Sequence, residues 1–592
     1  MRDFLKFVVA SFLGVLLAGG LLFLGGILFM FLMISIAPGT PQIKESTVLT
    51  LGLGAPVQDY APDDAYPVLD LQGFRLVQPV GQDDLLSAIR SAATDTRISG
   101  IYLHPSMVSA SVSTVSAVRE ALSDFRKSGK FVLAYSDSYT QKAYFLASVA
   151  DSVWLNPAGT FLMTGMMSEV FFYKDALRKL GVEVQVFRHG TFKSAVEPYI
   201  AEEMSDESRL QTSRIVHRVW AQVSRAIAAD RHLQVEDLNR WIDDLSLTGA
   251  EASVQKGLVD ELLYADQVRQ RLASKVGADD PDEVHMLSLE QYALAVKQAR
   301  KPGGGQEQIA VVYAEGDISP DVGSVLGGRT IQPEVYVSLL RKLRKDSAVK
   351  AVVLRVNSPG GSALSAEQIW REVELTSRVK PVVASFGAVA ASGGYFIAAP
   401  ARYILAEPAS ITGSIGVFML LPQVETLMKD KLGIRSEVVG THRHVDAQTI
   451  FRPLDAQEQA VLQQEVEVTY RRFVQHVADG RHMTYARVDS LAEGRVWAAE
   501  DALELGLVDT LGGLRDAIVK AATLSGTEKY QVRSYPGNIQ SMGDLLSGLM
   551  QSVRHESAQE MLGPYYQVWK DLTYLSAPEG VQARLPFHIH LY

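Results

Sequence analysis

Along most of the chain, short continuous apolar runs alternate with stretches whose apolar positions recur every three to four residues. After residue 308, this pattern predicts a strand at Ile309–Ala314, an amphipathic helix at Glu334–Arg344 and a strand at Ala351–Val356. It then predicts a helix at Ala363–Arg378 and a strand at Pro381–Ser385 that enters another helix near Ser392. Runs such as Ala351-Val352-Val353-Leu354 are apolar without alternation, so these strands are expected to be covered on both faces. That is the signature of a largely parallel α/β sheet. Leu454–Gly480 predicts a long helix able to pack one half of the chain on the other. After Leu524 the periodicity weakens, and the stretch to Tyr592 has no counterpart earlier in the chain.

The pattern occurs twice. Ser87–Asp95 with Ile101–Leu103 matches Ser338–Asp346 with Val352–Leu354 at an offset of 251. Tyr144-Phe145-Leu146-Ala147 matches Tyr395-Phe396-Ile397-Ala398 at that offset, and Gly190-Thr191 matches Gly440-Thr441 at 250. Gly257-Leu258-Val259-Asp260 matches Gly506-Leu507-Val508-Asp509 at 249. Register held over this length with a drift of two means two homologous halves. The expected organisation is an anchor over 1–46, a first repeat over 47–299, a glycine-bearing linker over 300–308, a second repeat over 309–524 and an extension over 525–592.

The N-terminal end follows a different logic. Between Lys6 and Lys44 lie 37 uncharged residues, and Phe7–Ala37 is almost wholly apolar. A spanning helix needs about 20 such residues, more than the core of a cleaved signal provides. An uncleaved, single-pass anchor is expected. Arg2 and Lys6 before it, against Glu45, Asp59, Asp63 and Asp64 after it, put the N-terminus in the cytoplasm and the bulk of the chain outside.

Composition narrows the chemistry. The 592 residues are 47% hydrophobic and 21% charged, so extensive disorder is excluded. A net charge of −10 argues against a nucleic-acid partner. There is no cysteine, which removes disulfides, thiolate metal sites and a cysteine nucleophile.

Two glycine-bearing turns follow predicted strands and open helices. One is Asn357-Ser358-Pro359-Gly360-Gly361-Ser362, where glycines let backbone N–H groups turn inward toward an anion. The other is Ala390-Ala391-Ser392-Gly393-Gly394-Tyr395, which sets Ser392 at a helix start beside small neighbours. Taken alone, the first is better explained as a tight strand-to-helix turn, and the second equally well by capping and close packing. A serine hydroxyl needs a base. None of the twelve histidines, among them His189, His442 and His444, stands in a signature, and His442-x-His444 and His588-x-His590 lack an accompanying carboxylate cluster. No metal or other cofactor is expected. A lysine made neutral by burial is the other route, and Lys193 lies in a mostly uncharged stretch beside a predicted core strand, Val182–Phe187.

Together these motifs resemble the signal peptide peptidase A family, also called protease IV, in its long tandem form. The resemblance rests on Ser358-Pro359-Gly360-Gly361, Ala390–Tyr395, Thr412-Gly413-Ser414-Ile415-Gly416-Val417 and Phe192-Lys193-Ser194-Ala195-Val196-Glu197-Pro198. Gly494-Arg495-Val496-Trp497 with Gly506–Asp509 completes it, and it covers roughly Val48 to Ala522. It implies two crotonase or Clp-protease-like repeats and a bacterial inner-membrane serine endopeptidase that degrades cleaved signal peptides and other apolar peptides. It further implies a homotetramer, Ser392 as nucleophile, Lys193 as general base, and Gly360 or Gly361 with Gly393 near the oxyanion. Thr412 and Ser414 are the polar candidates for holding the lysine. A crotonase-like acyl-thioester enzyme and a non-catalytic membrane scaffold are the competing readings.

The repeat sharpens the assignment. At the same offset Ser392 corresponds to Gln141, and Ser358–Gly361 corresponds to Met107-Val108-Ser109-Ala110. Lys193 corresponds to Arg443, which cannot give up its proton. Each half keeps one member of the pair, so a single composite site between the halves is expected. Only burial in an apolar setting would free such a lysine of its charge.

Overall fold

The computed structural model describes residues 42–54, 57–61, 68–70, 75–77, 81–105, 107–299, 307–320, 330–536 and 580–585, with three isolated glycines before them. Apart from those glycines the apolar stretch Phe7–Ala37 lies outside the described residues, as do His588 and His590. Among the described residues no helix is long and apolar enough to cross a membrane.

Each half has a sheet in which six parallel strands follow the same order, and the second half's sheet adds the antiparallel pair Ile411–Gly413 and Val496–Ala498 beside Val382–Ala391. In the first the order is Glu261–Leu262, Ser152–Phe161, Phe131–Tyr139, Ile98–Leu103, Thr47–Leu51 and Met286–Ser288. In the second, Thr510–Leu511, Tyr403–Ala406, Val382–Ala391, Val349–Ser358, Glu307–Glu315 and Tyr530–Tyr535 repeat that order. Strands such as Val349–Ser358 are buried on both faces, which is why their sequences are apolar without alternation. The parity runs past Leu524. Tyr530–Tyr535 flanks Glu307–Val312 as Met286–Ser288 flanks Val48–Thr50, although its side chains are half exposed. An edge strand with so little burial carries almost no apolar periodicity.

The halves interlock. The strand Glu183–Arg188 of the first repeat pairs antiparallel with Phe418–Gln423 of the second, and its Phe187 enters the second repeat's core. The helix Ala456–Arg481 reaches across the join: Gln463 donates to the Arg188 carbonyl, and His189 pairs with Glu467. Arg214 and Arg218, on the helix Asp206–Asp230, both bind Asp501. Deeper in, the buried Arg355 guanidinium joins Asp59 of the first half to Glu407 of the second. A third, mixed sheet lies at this join, in the order Thr330–Ile331, Asp317–Ile318, Gly360–Ser362, Gln582–Arg584, Phe418–Gln423 and Glu183–Arg188.

Candidate active site

Ser392 stands where the strand Val382–Ala391 passes into the helix Gly393–Ala398. Its backbone has φ 54° and ψ −115°, a combination costly for any residue with a Cβ, on the order of 1–3 kcal/mol. The turn is held by its surroundings. The Ser392 N–H donates to the Gly413 carbonyl at 2.8 Å, and Ala390 and Ala391 pair with Thr412 and Gly413. A sharp strand-to-helix turn of this kind presents the hydroxyl apart from both elements. The helix has only six residues, so its dipole adds little and the backbone N–H groups at the turn matter more.

Lys193 comes from the first repeat, in the turn after Glu183–Arg188. Thr191 and Phe192 of that turn both bond to Glu493 of the second repeat. Both Lys193 and Ser392 are fully buried, and Lys193 Nζ lies 2.9 Å from Ser392 Oγ. The same nitrogen lies 3.0 Å from Ser414 Oγ and 3.3 Å from the Ser414 carbonyl. No carboxylate balances it among the described residues, and burial pushes its pKa well below the ordinary lysine value. A neutral amine has two N–H donors and one lone pair. The two acceptors on Ser414 can take the donors, which leaves the lone pair facing the Ser392 hydroxyl. The alternative acceptor for that hydroxyl is the Gly416 carbonyl at 3.4 Å. Among the described residues no histidine bonds to Ser392: His189 binds Glu467, His442 binds Thr441 and His444 binds Glu458.

Thr412 is directed elsewhere. Its hydroxyl donates to the Ala390 carbonyl at 2.7 Å, bracing the strand that ends at Ser392 rather than the amine. Gly360 has φ 106° and Gly361 φ 150°, both in the region that disfavours side chains. A Cβ on Gly360 would come within 2.9 Å of the Gly393 nitrogen, so the two glycine turns meet at one point beside Ser392. In the first half, Gln141 fills the equivalent place as a brace, with its amide bonded to Thr164 and Gly165. Arg443 is exposed and faces Asp455.

Two contributors escape sequence reasoning. Gly494 packs against Lys193 so closely that a Cβ would lie 2.6 Å from the lysine Cβ, and its φ is 79°. Its place in the Gly494–Trp497 motif was the available signal. Gln211 supports the lysine turn by donating to the Phe192 carbonyl and to Ser194, and by accepting from the Val496 N–H. Nothing in its sequence surroundings marks it.

A buried serine beside a buried amine whose pKa desolvation lowers, where two glycine turns meet, is equipped for acyl transfer: proton removal, attack and oxyanion stabilisation. That is the class of chemistry the geometry defines. The profile of Peptidase family S49 matches this chain twice, at residues 124–279 and 374–528, and the two matches begin 250 residues apart and end 249 apart. Protease 4 of Salmonella typhi is 36% identical over 493 residues, covering 81% of this chain and 78% of that protein. The chloroplastic serine protease SPPA of Arabidopsis thaliana is 28% identical over 549 residues, covering 92% and 78%. A ClpP1 variant from Listeria monocytogenes aligns over 35% of this chain and 94% of its own, at 14% identity and a TM-score of 0.24, too low to bear on the fold. The chain belongs to Peptidase family S49, with two copies of the family's repeat, and is a serine peptidase.

Proposed function

We propose that the protein is a membrane-anchored endopeptidase that cuts apolar peptides, cleaved signal peptides among them, with Ser392 as nucleophile and Lys193 as general base. The observation that carries this reading is the 2.9 Å approach of a buried lysine, with no counter-charge among the described residues, to a buried serine from the other repeat. Lys193 takes the Ser392 proton as Oγ attacks the scissile carbonyl. The amine then returns the proton to the departing peptide nitrogen, and water repeats the sequence on the acyl-enzyme. Backbone N–H groups at Gly361 and Gly393, with Gly360 kept free of a side chain, stabilise the oxyanion. Ser414 orients the amine, and Thr412 fixes the turn that carries Ser392.

The arrangement proposed for the chain is an anchor within residues 1–46, two Clp-protease-like repeats that share one site, and a bulk outside the inner membrane. The charge bias of Arg2 and Lys6 supports that orientation. A homotetramer is supported by an unfinished symmetry. Within the chain, Glu183–Arg188 of one repeat pairs with Phe418–Gln423 of the next. The equivalents, residues 433–438 and 167–172, expose Ile434 and Val438 on one side and Met167 and Phe171 on the other. A second copy joined there would repeat the internal contact head to tail, the kind of contact that closes into a ring when its rotation allows.

The test is mass spectrometry of apolar and charged peptides incubated with the wild-type chain and with Ser392→Ala. Internal cuts in the apolar set that disappear in the variant support the reading. Equal cutting of polyacidic or polybasic peptides contradicts it.

A further inference from the structure

One buried amide joins the turn that carries the lysine to the strand that holds the serine. Gln211 lies on the helix Asp206–Asp230 and is fully buried. Its Nε2 donates to the Phe192 carbonyl at 3.0 Å and to Ser194 Oγ at 2.9 Å, so it grips the residues on either side of Lys193. Its Oε1 accepts the Val496 N–H of the second repeat at 3.0 Å. Val496–Ala498 pairs with Ile411–Gly413, whose Gly413 carbonyl takes the Ser392 N–H. Just before Val496, the Arg495 carbonyl takes the Ser414 N–H at 2.6 Å. A single carboxamide thus links both neighbours of the lysine to the backbone that sets its two polar partners.

Lys193 depends on those neighbours because its own backbone is weakly held. Its N–H reaches the Gly190 carbonyl only at 3.5 Å and its carbonyl accepts from Arg188 at 3.3 Å, both longer than the usual range of about 2.7–3.2 Å. Glu493 holds the turn's entry at Thr191 and Phe192, and Gln211 holds its exit at Phe192 and Ser194. The Phe192 carbonyl needs a donor and the Val496 N–H an acceptor, and a carboxamide offers both without a charge. The seat of the helix does not need the amide. Ile215 and Val219, one and two turns further along the same face, pack on Val496, while Arg214 and Arg218 bind Asp501. At the offset of 250 that relates Lys193 to Arg443, Gln211 corresponds to Val461, which is exposed on the helix Ala456–Arg481. The second repeat builds the same helix without the amide, and the amide is found in the half that has the lysine.

From this we infer that Gln211 is a positioning residue for the peptidase reaction, fixing the backbone around Lys193 so that the amine meets Ser392. The inference rests on the Ser392–Lys193 reading above. Gln211 acts through the lysine alone. Without its amide the exit of the turn loses its hold on the second repeat and the 2.9 Å approach of Nζ to Oγ is no longer enforced, while Ser392 keeps its own bond to Gly413. A misplacement of about 1 Å at such a site costs on the order of 10² in rate.

The rate at which a peptidyl fluorophosphonate labels Ser392 in the full chain tests this, with Gln211→Met made both in wild type and in Lys193→Ala. Gln211→Met should label about tenfold or more slowly than wild type, yet at the same rate as its parent once Lys193 is gone. Ser194→Ala removes one acceptor of the amide and leaves the Val496 bond in place. It should slow labelling about threefold or more, again only where the lysine is present. Where circular dichroism shows Gln211→Met unfolded, the Ser194→Ala rates decide by the same criteria. Gln211→Met that labels like wild type, while Lys193→Ala is slowed, overturns the inference and leaves the site reading standing. Lys193→Ala that labels as fast as wild type overturns both. A loss from Gln211→Met that persists in the Lys193→Ala chain places its action on Ser392 or on the fold and overturns the positioning role.

Discussion

Replacing Lys193 by methionine should stabilise the fold while abolishing activity, and the size of the gain should depend on pH in a defined direction. Lys193 is fully buried, its amine has only Ser414 and Ser392 as polar partners among the described residues, and burial lowers its pKa well below the ordinary lysine value. Between the folded and unfolded pKa values the unfolded lysine carries a proton that the folded one lacks, so folding releases a proton and raising the pH favours it. Below the folded value both states are charged and the dependence vanishes. Methionine has similar length, no charge and no such linkage. The stability advantage of Lys193→Met over wild type should therefore shrink by about 1.4 kcal/mol per pH unit across that window, and level off near the ordinary lysine value of about 10.4. Urea unfolding of both proteins at pH 6.5, 7.5, 8.5 and 9.5 measures it, because every other titrating group cancels in the difference. An advantage that stays constant over this range, or grows with pH, would refute the neutral buried lysine.

Peptide turnover should rise with pH as Lys193 loses its proton and level off on the alkaline side; a profile set near 6.5 that moves on replacing a histidine would instead place the base there. Ser414→Ala should lower kcat about tenfold, the loss of roughly 1–2 kcal/mol of buried hydrogen bonding to the amine, with KM little changed in steady-state assays. Gly494→Ala should push Lys193 off the serine and lower kcat by on the order of 10² or more, with the folded circular-dichroism spectrum retained. Gln141→Ala removes only a brace in the first repeat and should leave kcat/KM near that of wild type.

Much of the fold was legible because both repeats bury their central strands on two faces. Continuous apolar runs such as Ala351–Val356 therefore mark strands, and a constant offset between the halves marks the duplication. Tyr530–Tyr535 was hidden for the opposite reason: it is an exposed edge strand whose place is fixed by backbone pairing with Glu307–Val312 rather than by side-chain burial. Ser392, Lys193 and the glycines could be singled out because the chemistry needs those residue types. Their meeting point could not, since Lys193 and Ser392 lie 199 positions apart and reach each other only through the pairing of Glu183–Arg188 with Phe418–Gln423. Periodicity likewise gives no hint of the division of labour between Thr412, turned to the Ala390 carbonyl, and Ser414, turned to the amine. Two residues apart, Thr412 lies within the strand Ile411–Gly413 and Ser414 just past its end at φ 51°, and they differ in which way the backbone aims them.

The central claim is that Lys193 activates Ser392 across the two repeats. The most direct measurement is the rate at which a peptidyl fluorophosphonate modifies Ser392, followed by peptide mapping in the wild-type chain and in Lys193→Ala. The account predicts a single adduct on Ser392 in wild type, formed faster as the pH rises. In Lys193→Ala the adduct should form on the order of 10² or more times slower. Labelling of another residue, or of Ser392 at the same rate without the lysine, would contradict it.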